Sequence, residues 1–370
     1  MLLFACLALF MHASAFPIAH HTSRAIKSDF PLSASPYPTN PTTGCSQPST
    51  WQFSASGHKN LTLGDRSLLV HIPKDYDPSM AHALVVSFHA FKMNGAEQER
   101  ISGFSEPGLR LNGKGIVAVY PNGQFGPGKT GNESIRAWQG APYAAKGVDD
   151  IAFTQQMIEA LSGNLCLDSN RFYASGKSNG GGLTNLLACT PATANLFAAF
   201  APVSAALYAG ANPADCSPGR PIPLVNFHGL ADRVVPFDGQ LADREGNTEY
   251  ATPNISQYRA AWAERNGCAA HKAAVIVTGS SSNPPPGARL GLNALVSHPH
   301  VNTTLKQSIC AVGYTPAIVQ GFTVKDLGHS WPSTLGLDGG VTDFNATTAN
   351  ILPFFDAHAL GSNENTAASI

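Results

Sequence analysis

Short apolar runs alternate along this chain with longer segments whose apolar residues recur at helical spacing. Runs of this kind predict buried strands, at residues 68–72, 83–88, 116–120, 171–175, 197–203, 222–227 and 317–324. The helical spacing predicts helices at residues 150–161, 178–189, 255–266 and 349–358. This alternation predicts an α/β fold with a mostly parallel central sheet and helices on both faces. We expect a single domain over residues 45–360, with the Ser/Pro-rich stretch 278–288 as an inserted loop.

The charge content excludes several classes of partner. The 370 residues carry 23 Lys and Arg against 24 Asp and Glu, which gives a formal net charge of −1. Such a chain is not attracted to nucleic acid or to an anionic membrane surface as its main activity. No run of 18 or more apolar residues is present to anchor the mature chain in a membrane. We therefore expect neither a nucleic-acid nor a membrane partner, and the oligomeric state stays open.

Both ends of the chain have the composition of segments outside a folded domain. Residues 1–15 combine an apolar run with the small-residue site Ala-Ser-Ala, which is typical of a secretory signal peptide. Residues 16–44 are rich in Pro, Ser and Thr, and this favours a pro-segment or an extended linker. Residues 361–370 are polar and predict a flexible tail. The expected location is extracellular.

The cysteine count agrees with that location. Beyond Cys6 in the signal segment, the chain has Cys45, Cys166, Cys189, Cys216, Cys268 and Cys310. An even number in a secreted chain predicts three disulfides, and the absence of any C-x-x-C spacing argues against a zinc site. We favour the pair Cys268–Cys310, because it would close the Ser/Pro-rich loop. N-glycosylation sequons begin at Asn60, Asn132, Asn254, Asn302 and Asn345.

The sequence Gly176-Lys177-Ser178-Asn179-Gly180 matches the nucleophile-elbow pattern G-x-S-x-G. It lies between a predicted strand and a predicted helix, where a strained turn can expose a serine. Small residues are needed there because side chains two positions either side of the serine would collide with neighbouring backbone. The following helix N-terminus helps to stabilise negative charge. Ser178 is therefore the candidate nucleophile.

A serine becomes nucleophilic only beside a base that is oriented by an acid. In this architecture the chain order is Ser, acid, His, each at the carboxyl edge of the sheet. Asp232 follows one predicted strand and His329 follows the last, so we expect Asp232 to orient His329 as general base and then acid. The less favoured alternatives are Asp238 for the acid, and His298, His300 and His358 for the base, whereas His228, at the end of a predicted strand, is expected to shape the turn.

An oxyanion hole requires two backbone N–H donors. The residue after the nucleophile, Asn179, is expected to provide one of them. The loop after the predicted strand at 83–88 is expected to provide the other, from Ala90 or Phe91, and the sequence does not choose between the two.

The chain resembles secreted esterases of the feruloyl-esterase and polyhydroxybutyrate-depolymerase-like group, within carbohydrate esterase family 1. The resemblance spans roughly residues 45–335. Its marks are Tyr120-Pro-Asn-Gly, Val148-Asp-Asp-Ile-Ala-Phe, Leu165-Cys-Leu-Asp-Ser-Asn-Arg, Gly176-Lys-Ser-Asn-Gly-Gly-Gly, His228-Gly-Leu-Ala-Asp and Gly328-His-Ser-Trp-Pro. It implies an α/β-hydrolase fold, no cofactor, no metal, and a triad falling on Ser178, His329 and Asp232.

The resemblance also implies plant cell-wall esters as substrates. The favoured function is a secreted feruloyl esterase that releases hydroxycinnamic acids from arabinoxylan. The same triad would serve an acetylxylan esterase or a polyhydroxybutyrate depolymerase. A hypothesis of another class is a non-catalytic carbohydrate-binding protein on a hydrolase scaffold.

Two residues depart from the family pattern. Lys177 stands where the family usually has an apolar or aromatic residue, and Ala90 stands where it often has glycine.

Several aromatic residues are candidates for substrate contact. We expect Phe91, Trp138 and Trp331 near the mouth of the site, where ring faces suit a cinnamoyl group or a sugar. Asp149 and Asp150 are predicted to cap a helix rather than to take part in acid chemistry.

Overall fold

The computed structural model describes residues 38–268, 277–278, 303–312 and 315–361. These residues belong to one compact unit, 34–370. The predicted signal peptide, residues 16–37, most of the inserted loop, His298, His300, Asn302 and residues 362–370 lie outside the described part.

The central sheet has ten strands among the described residues, and six neighbouring strands in its middle are parallel. In chain order the strands are β1 His58–Leu63, β2 Arg66–His71, β3 His82–Phe88, β4 Arg110–Leu111, β5 Lys114–Gly115, β6 Val117–Pro121, β7 Gln124–Gly126, β8 Ile135–Ala137, β9 Leu167–Lys177, β10 Ala199–Val203, β11 Leu224–Gly229, β12 Val277–Thr278, β13 Thr303–Val312 and β14 Thr315–Val324. The sheet order is β1-β2-β6-β3-β9-β10-β11-β14-β13-β12, with antiparallel pairing at both ends. The small pairs β4–β5 and β7–β8 lie outside it.

Helices cover both faces of this sheet, as predicted. They are α1 Gly95–Ser102, α2 Asp150–Asn164, α3 Asn179–Cys189, α4 Pro191–Ala194, α5 Ile255–Arg265 and α6 Leu352–Asp356, with a 3-10 turn at Thr248–Tyr250 and a π turn at Thr347–Ile351. Alternate residues of β3 point to opposite faces. Val86 packs in the core cluster that holds Phe153 of α2, and Val85 packs in the cluster that holds Phe355 of α6.

Residues before Cys45, the predicted start of the domain, already pair with the central sheet. The backbone N–H of Asn40 donates to Asp168 Oδ1 at 2.8 Å, and that of Thr42 donates to the Leu167 carbonyl at 2.9 Å. Composition predicted a solvated linker here. The segment is ordered because its backbone groups pair with the start of β9.

The expectation of disulfides is confirmed for the described cysteines. Cys45 pairs with Cys166 across 121 residues, and Cys189 at the end of α3 pairs with Cys216 across 27 residues. Cys268 is disulfide-bonded as well. Its pairing with Cys310 stays a prediction, because the side chain of Cys310 lies outside the described part.

Candidate active site

Ser178 occupies a strained turn between β9 and α3. Its φ is 53° and its ψ is −115°, a conformation that an L-residue adopts only when its surroundings enforce it. The surroundings here are hydrogen bonds to the neighbouring strand and loop. The N–H of Ser178 donates to the Val203 carbonyl at 3.0 Å, and its carbonyl accepts from the N–H groups of Gly182 and Ala206, each at 2.9 Å. The side chain is only slightly exposed, at 7%.

The two outer glycines of the G-x-S-x-G pattern are required by close backbone packing. A Cβ on Gly176 would lie 2.4 Å from the Gly180 carbonyl oxygen. A Cβ on Gly180 would lie 2.2 Å from the Phe88 carbonyl oxygen and 2.5 Å from that of His89. The elbow, the parallel sheet and the helices on both faces together make this an α/β-hydrolase fold.

Asp232 and His329 meet at the carboxyl edge of the sheet, which is also where β9 ends at the elbow. His329 Nδ1 lies 2.7 Å from Asp232 Oδ2. The other carboxylate oxygen of Asp232 accepts from the backbone N–H groups of Val234 and Val235, each at 2.9 Å. The acid is therefore fixed by its own loop and holds the imidazole through the remaining oxygen.

The loops that carry Asp232 and His329 are themselves joined. The N–H of Ala231 donates to the Leu327 carbonyl at 3.0 Å. Gly229 permits this approach, because a Cβ there would lie 1.9 Å from the same carbonyl oxygen. The pairing of β11 with β14 thus continues into the two loops and sets the acid opposite the base.

The surroundings shift the pKa of both groups downward. Burial alone raises the pKa of Asp232, but hydrogen bonds from His228 and His329 outweigh it and hold the pKa well below its usual value. Burial lowers the pKa of His329, although the hydrogen bond and charge of Asp232 oppose that shift. The pair is therefore a carboxylate beside a neutral imidazole near pH 7, the protonation state that a general base requires.

His228, predicted to shape its turn, does so and also contacts the acid. Its Nε2 lies 2.8 Å from the Val235 carbonyl oxygen and 3.3 Å from Asp232 Oδ2. The other described rivals lie elsewhere. Asp238 is exposed, with Asn254 Nδ2 3.4 Å away. His358 is buried on the Phe354 ring, and burial lowers its pKa to about 4.

The loop after β3 is held against the N-terminus of α3 through His89. The imidazole Nε2 of His89 accepts from the N–H of Gly123 at 2.9 Å, and Nδ1 donates to the Ala90 carbonyl at 2.7 Å. Burial lowers the pKa of His89 to about 4, so the ring stays neutral. Because Gly180 packs on the carbonyls of Phe88 and His89, this loop lies beside the first N–H groups of α3, which have no intrahelical acceptor. The predicted donors Asn179, Ala90 and Phe91 therefore lie on adjoining segments.

Neither predicted tryptophan is available to a substrate. Trp138 and Trp331 are each 0% exposed. Trp138 donates through Nε1 to the His89 carbonyl at 2.8 Å, and Trp331 donates to Thr347 Oγ1 at 3.2 Å. Both expectations are corrected, since these rings are structural supports of the site loops.

An aromatic group, of which the sequence indicated only Phe91, adjoins the elbow. We call it the aromatic cluster, and it consists of Phe91, Tyr143, Tyr208 and Tyr250. Its ring centroids are 4.3 to 6.2 Å apart. Ala206 packs in the same group and its backbone N–H donates to the Ser178 carbonyl, so the cluster adjoins the elbow through Ala206. These residues are widely separated in the chain, so no local pattern could indicate the cluster as a whole.

Asp150 is more than a helix cap. Asp149 caps α2 as predicted, accepting from the Ala152 N–H at 2.9 Å. Asp150 is fully buried, 2.7 Å from Arg66 Nη2, and its other oxygen accepts from the Gln139 N–H at 2.7 Å. Burial raises its pKa, which the Arg66 charge opposes. The ion pair fixes the segment that follows Trp138.

No group of three or more His, Cys, Asp or Glu side chains in the described residues is arranged to hold a metal ion. No helix in the described ranges is long and apolar enough to cross a membrane.

Several proteins named as feruloyl esterases are similar to this chain in sequence. The chain is 30% identical over 204 residues to feruloyl esterase B of Piromyces equi, covering 55% of this chain and 36% of that protein. It is 32% identical over 184 residues to a probable feruloyl esterase C of Aspergillus terreus, covering 48% and 59%. The resemblance to the feruloyl-esterase group is confirmed.

A third relative aligns over a longer part of both chains. Feruloyl esterase D of Neurospora crassa is 26% identical over 254 residues, 66% of this chain and 83% of that one. This chain spans less than two thirds of the first two relatives. No family model matches it. Among solved structures, acetyl xylan esterase from Aspergillus awamori aligns with a TM-score of 0.47 at 15% identity, over 74% of this chain and 94% of that one.

Proposed function

We propose that this protein is a serine carboxylic-ester hydrolase. The observation that carries the proposal is the 2.7 Å bond between His329 and Asp232, at the edge of the sheet where the strained Ser178 ends β9. Nothing else in the described fold requires a neutral imidazole, a fixed carboxylate and a strained serine together.

Ester cleavage at this site proceeds in two halves. His329 Nε2 removes the proton from Ser178 Oγ as that oxygen attacks the ester carbonyl carbon. Backbone N–H groups of Asn179 and of Ala90 or Phe91 stabilise the oxyanion. The imidazolium then protonates the departing alcohol, which leaves an acyl group on Ser178. In the second half His329 deprotonates a water, which attacks the acyl carbon and releases the acid and the free serine.

Asp232 keeps the imidazole productive through both halves. Its hydrogen bond to Nδ1 selects the tautomer whose Nε2 is free to accept a proton. Its negative charge stabilises the imidazolium that forms when Ser178 is deprotonated. Because Asp232 itself has a strongly lowered pKa, it stays ionised throughout.

The proposed substrates are feruloyl and related hydroxycinnamoyl esters of plant cell-wall arabinoxylan. Two observations support this choice. Phe91, the partly exposed ring of the aromatic cluster that adjoins the elbow, presents an aromatic surface that suits a planar phenolic acyl group. The curated relatives described above are named feruloyl esterases. We also propose that the protein is secreted. This is supported by the disulfides, which form in oxidising compartments, and by the signal-like residues 1–15.

A panel of esters tests both the assignment as an ester hydrolase and the choice of feruloyl esters as substrates. Wild type and Ser178→Ala would be compared on methyl ferulate, acetylated xylan and a 3-hydroxybutyrate oligomer. We expect ferulate release by wild type to be the fastest, and a loss of about 10³-fold or more in Ser178→Ala. Faster release of acetate or of 3-hydroxybutyrate would overturn the feruloyl assignment. If wild type cleaves no member of the panel, the hydrolase assignment fails and the carbohydrate-binding hypothesis takes its place.

A further inference from the structure

A buried lysine stands directly before the proposed nucleophile. Lys177 is the last residue of β9 and is 5% exposed. Its Nζ lies 2.8 Å from Oδ1 and 2.7 Å from Oδ2 of Asp338. A cation contacting both oxygens of one carboxylate, with both side chains mostly removed from solvent, is held far more firmly than a surface ion pair.

Asp338 is also bound to the residues that directly follow the proposed base. Its Oδ2 accepts from the backbone N–H of Trp331 at 2.7 Å, and its carbonyl accepts from Ser330 Oγ at 2.8 Å. Ser330 is attached in turn to the sheet, because its carbonyl accepts from Ser204 Oγ at 3.1 Å. Asp338 therefore connects the residue before Ser178 to the two residues after His329, through its carboxylate to Trp331 and through its backbone carbonyl to Ser330.

We propose that Lys177 and Asp338 form a positioning pair that fixes His329 relative to Ser178 and adjusts its basicity. The inference rests on the proposed function. The loops that carry the serine and the histidine leave different strands, β9 and β14, which β10 and β11 separate in the sheet. The ion pair links the two loops directly across that gap.

The charges facing His329 determine the direction in which its pKa should shift when either member of the pair is replaced. Asp232 presents a negative charge from the loop after β11, His228 lies behind it at the end of β11, and Lys177 presents a positive charge from β9. After burial, which is the largest cause, Lys177 and His228 lower the pKa of His329, and Asp232 raises it. Asp338 partly neutralises Lys177. Removing Lys177 should therefore raise the basicity of His329, and removing Asp338 should lower it.

The test measures kcat, KM and the pH dependence of kcat/KM for Lys177→Met, Asp338→Asn and the conservative Lys177→Arg. We expect Lys177→Met to lower kcat by about 10- to 100-fold with little change in KM, because a displaced base is badly aligned but substrate still binds. Its acid limb moves to higher pH, since the cation is gone. The acid limb of Asp338→Asn moves to lower pH, since Lys177 is then uncompensated. Lys177→Arg recovers most of the lost kcat.

A matched control is the exposed ion pair of Arg110 and Asp75, which has the same 2.7 Å separation with 43% and 48% side-chain exposure. Asp75→Asn should leave kcat and the acid limb unchanged. The positioning role is overturned if both buried variants keep the wild-type acid limb and lose only thermal stability, since that result describes a purely structural pair.

A failure of the proposed ester hydrolysis can be distinguished from a failure of the positioning role. If wild type hydrolyses no ester, the imidazole titration of His329 can still be followed by NMR in wild type, Lys177→Met and Asp338→Asn. Opposite displacements of the His329 midpoint in the two variants would support the pair without any activity measurement. Coincident midpoints in all three proteins would refute it.

Discussion

His329 Nδ1 lies 2.7 Å from Asp232 Oδ2, although 97 positions separate the two residues in the chain. The contact depends on two parallel strands, β11 and β14, that pair from Leu224–Val319 to Gly229–Val324. Both residues follow these strands on loops that stay hydrogen-bonded to one another. The sheet therefore brings the proposed acid and the proposed base together.

Replacing the acid tests this contact. Asp232→Asn should lower kcat/KM by about 10³- to 10⁴-fold, because an amide can stabilise the wrong imidazole tautomer and cannot stabilise the imidazolium. The matched control is Asp238→Asn, at the rival acid six positions on, which is exposed and should retain wild-type rates. The acid is misassigned if the Asp238 variant is the inactive one.

The pH dependence of activity follows from the pKa of the base. Burial lowers the pKa of His329 below its usual 6.5, even though Asp232 opposes the shift. Only the neutral imidazole accepts the serine proton, so activity is lost as the pH falls through this lowered value. We expect kcat/KM at pH 6.5 to exceed half of its plateau value, in a profile measured from pH 4 to 8. A rate still rising steeply between pH 7 and 8 would be inconsistent with this environment.

Two helical glycines give a matched pair of variants. Gly180→Ala should lower kcat by about 100-fold or more, because its methyl group meets the carbonyls of Phe88 and His89 and displaces the proposed oxyanion loop. Gly163→Ala in α2 meets no atom within 4 Å. It should leave kcat unchanged and stabilise the fold by up to about 1 kcal/mol through helix propensity. Equal kcat in both variants would show that the loop does not depend on Gly180.

Removing either disulfide should lower the free energy of unfolding, and removing the one that closes the longer loop should lower it more. Removing Cys189–Cys216 by a double Cys→Ser change should lower the free energy of unfolding by about 3.5 kcal/mol, as expected for a closed loop of 27 residues. Removing Cys45–Cys166, which closes 121 residues, should lower it by about 4 to 5 kcal/mol. Denaturant titration of both variants measures the difference. No loss in either variant would mean that these pairs do not form in the folded protein.

Much of the fold was predictable because its middle is parallel and buried on both faces. Such strands are continuous apolar runs, and all seven predicted runs coincide with strands, with ends shifted by a few residues. Strand β1 was missed because its residues are partly exposed and mostly polar. Strand β13 was missed because it is a mixed polar segment, Thr-Thr-Leu-Lys-Gln-Ser, rather than an apolar run. Helix α1 was missed because it is short and polar, although Asn94 and Glu97 form a capping box at its start.

The site was predictable only where local sequence determines it. The elbow has a local signature, and Asp232 and His329 could be placed because each follows a predicted strand. The aromatic cluster, the Arg66–Asp150 ion pair and the Lys177–Asp338 pair join residues from distant segments. Their partners are set by how loops fold over the sheet edge, which composition and spacing do not encode. For the same reason the sequence does not show that the Trp138 and Trp331 rings are buried.

The most direct test of the account is covalent labelling of the folded protein with a fluorophosphonate, followed by peptide mass spectrometry. The account predicts one adduct, on Ser178, in wild type, and little or none in His329→Ala, which cannot activate the hydroxyl. Wild-type protein that remains unlabelled, or labelling of Ser178 that is undiminished in His329→Ala, would contradict the claim that His329 activates this serine.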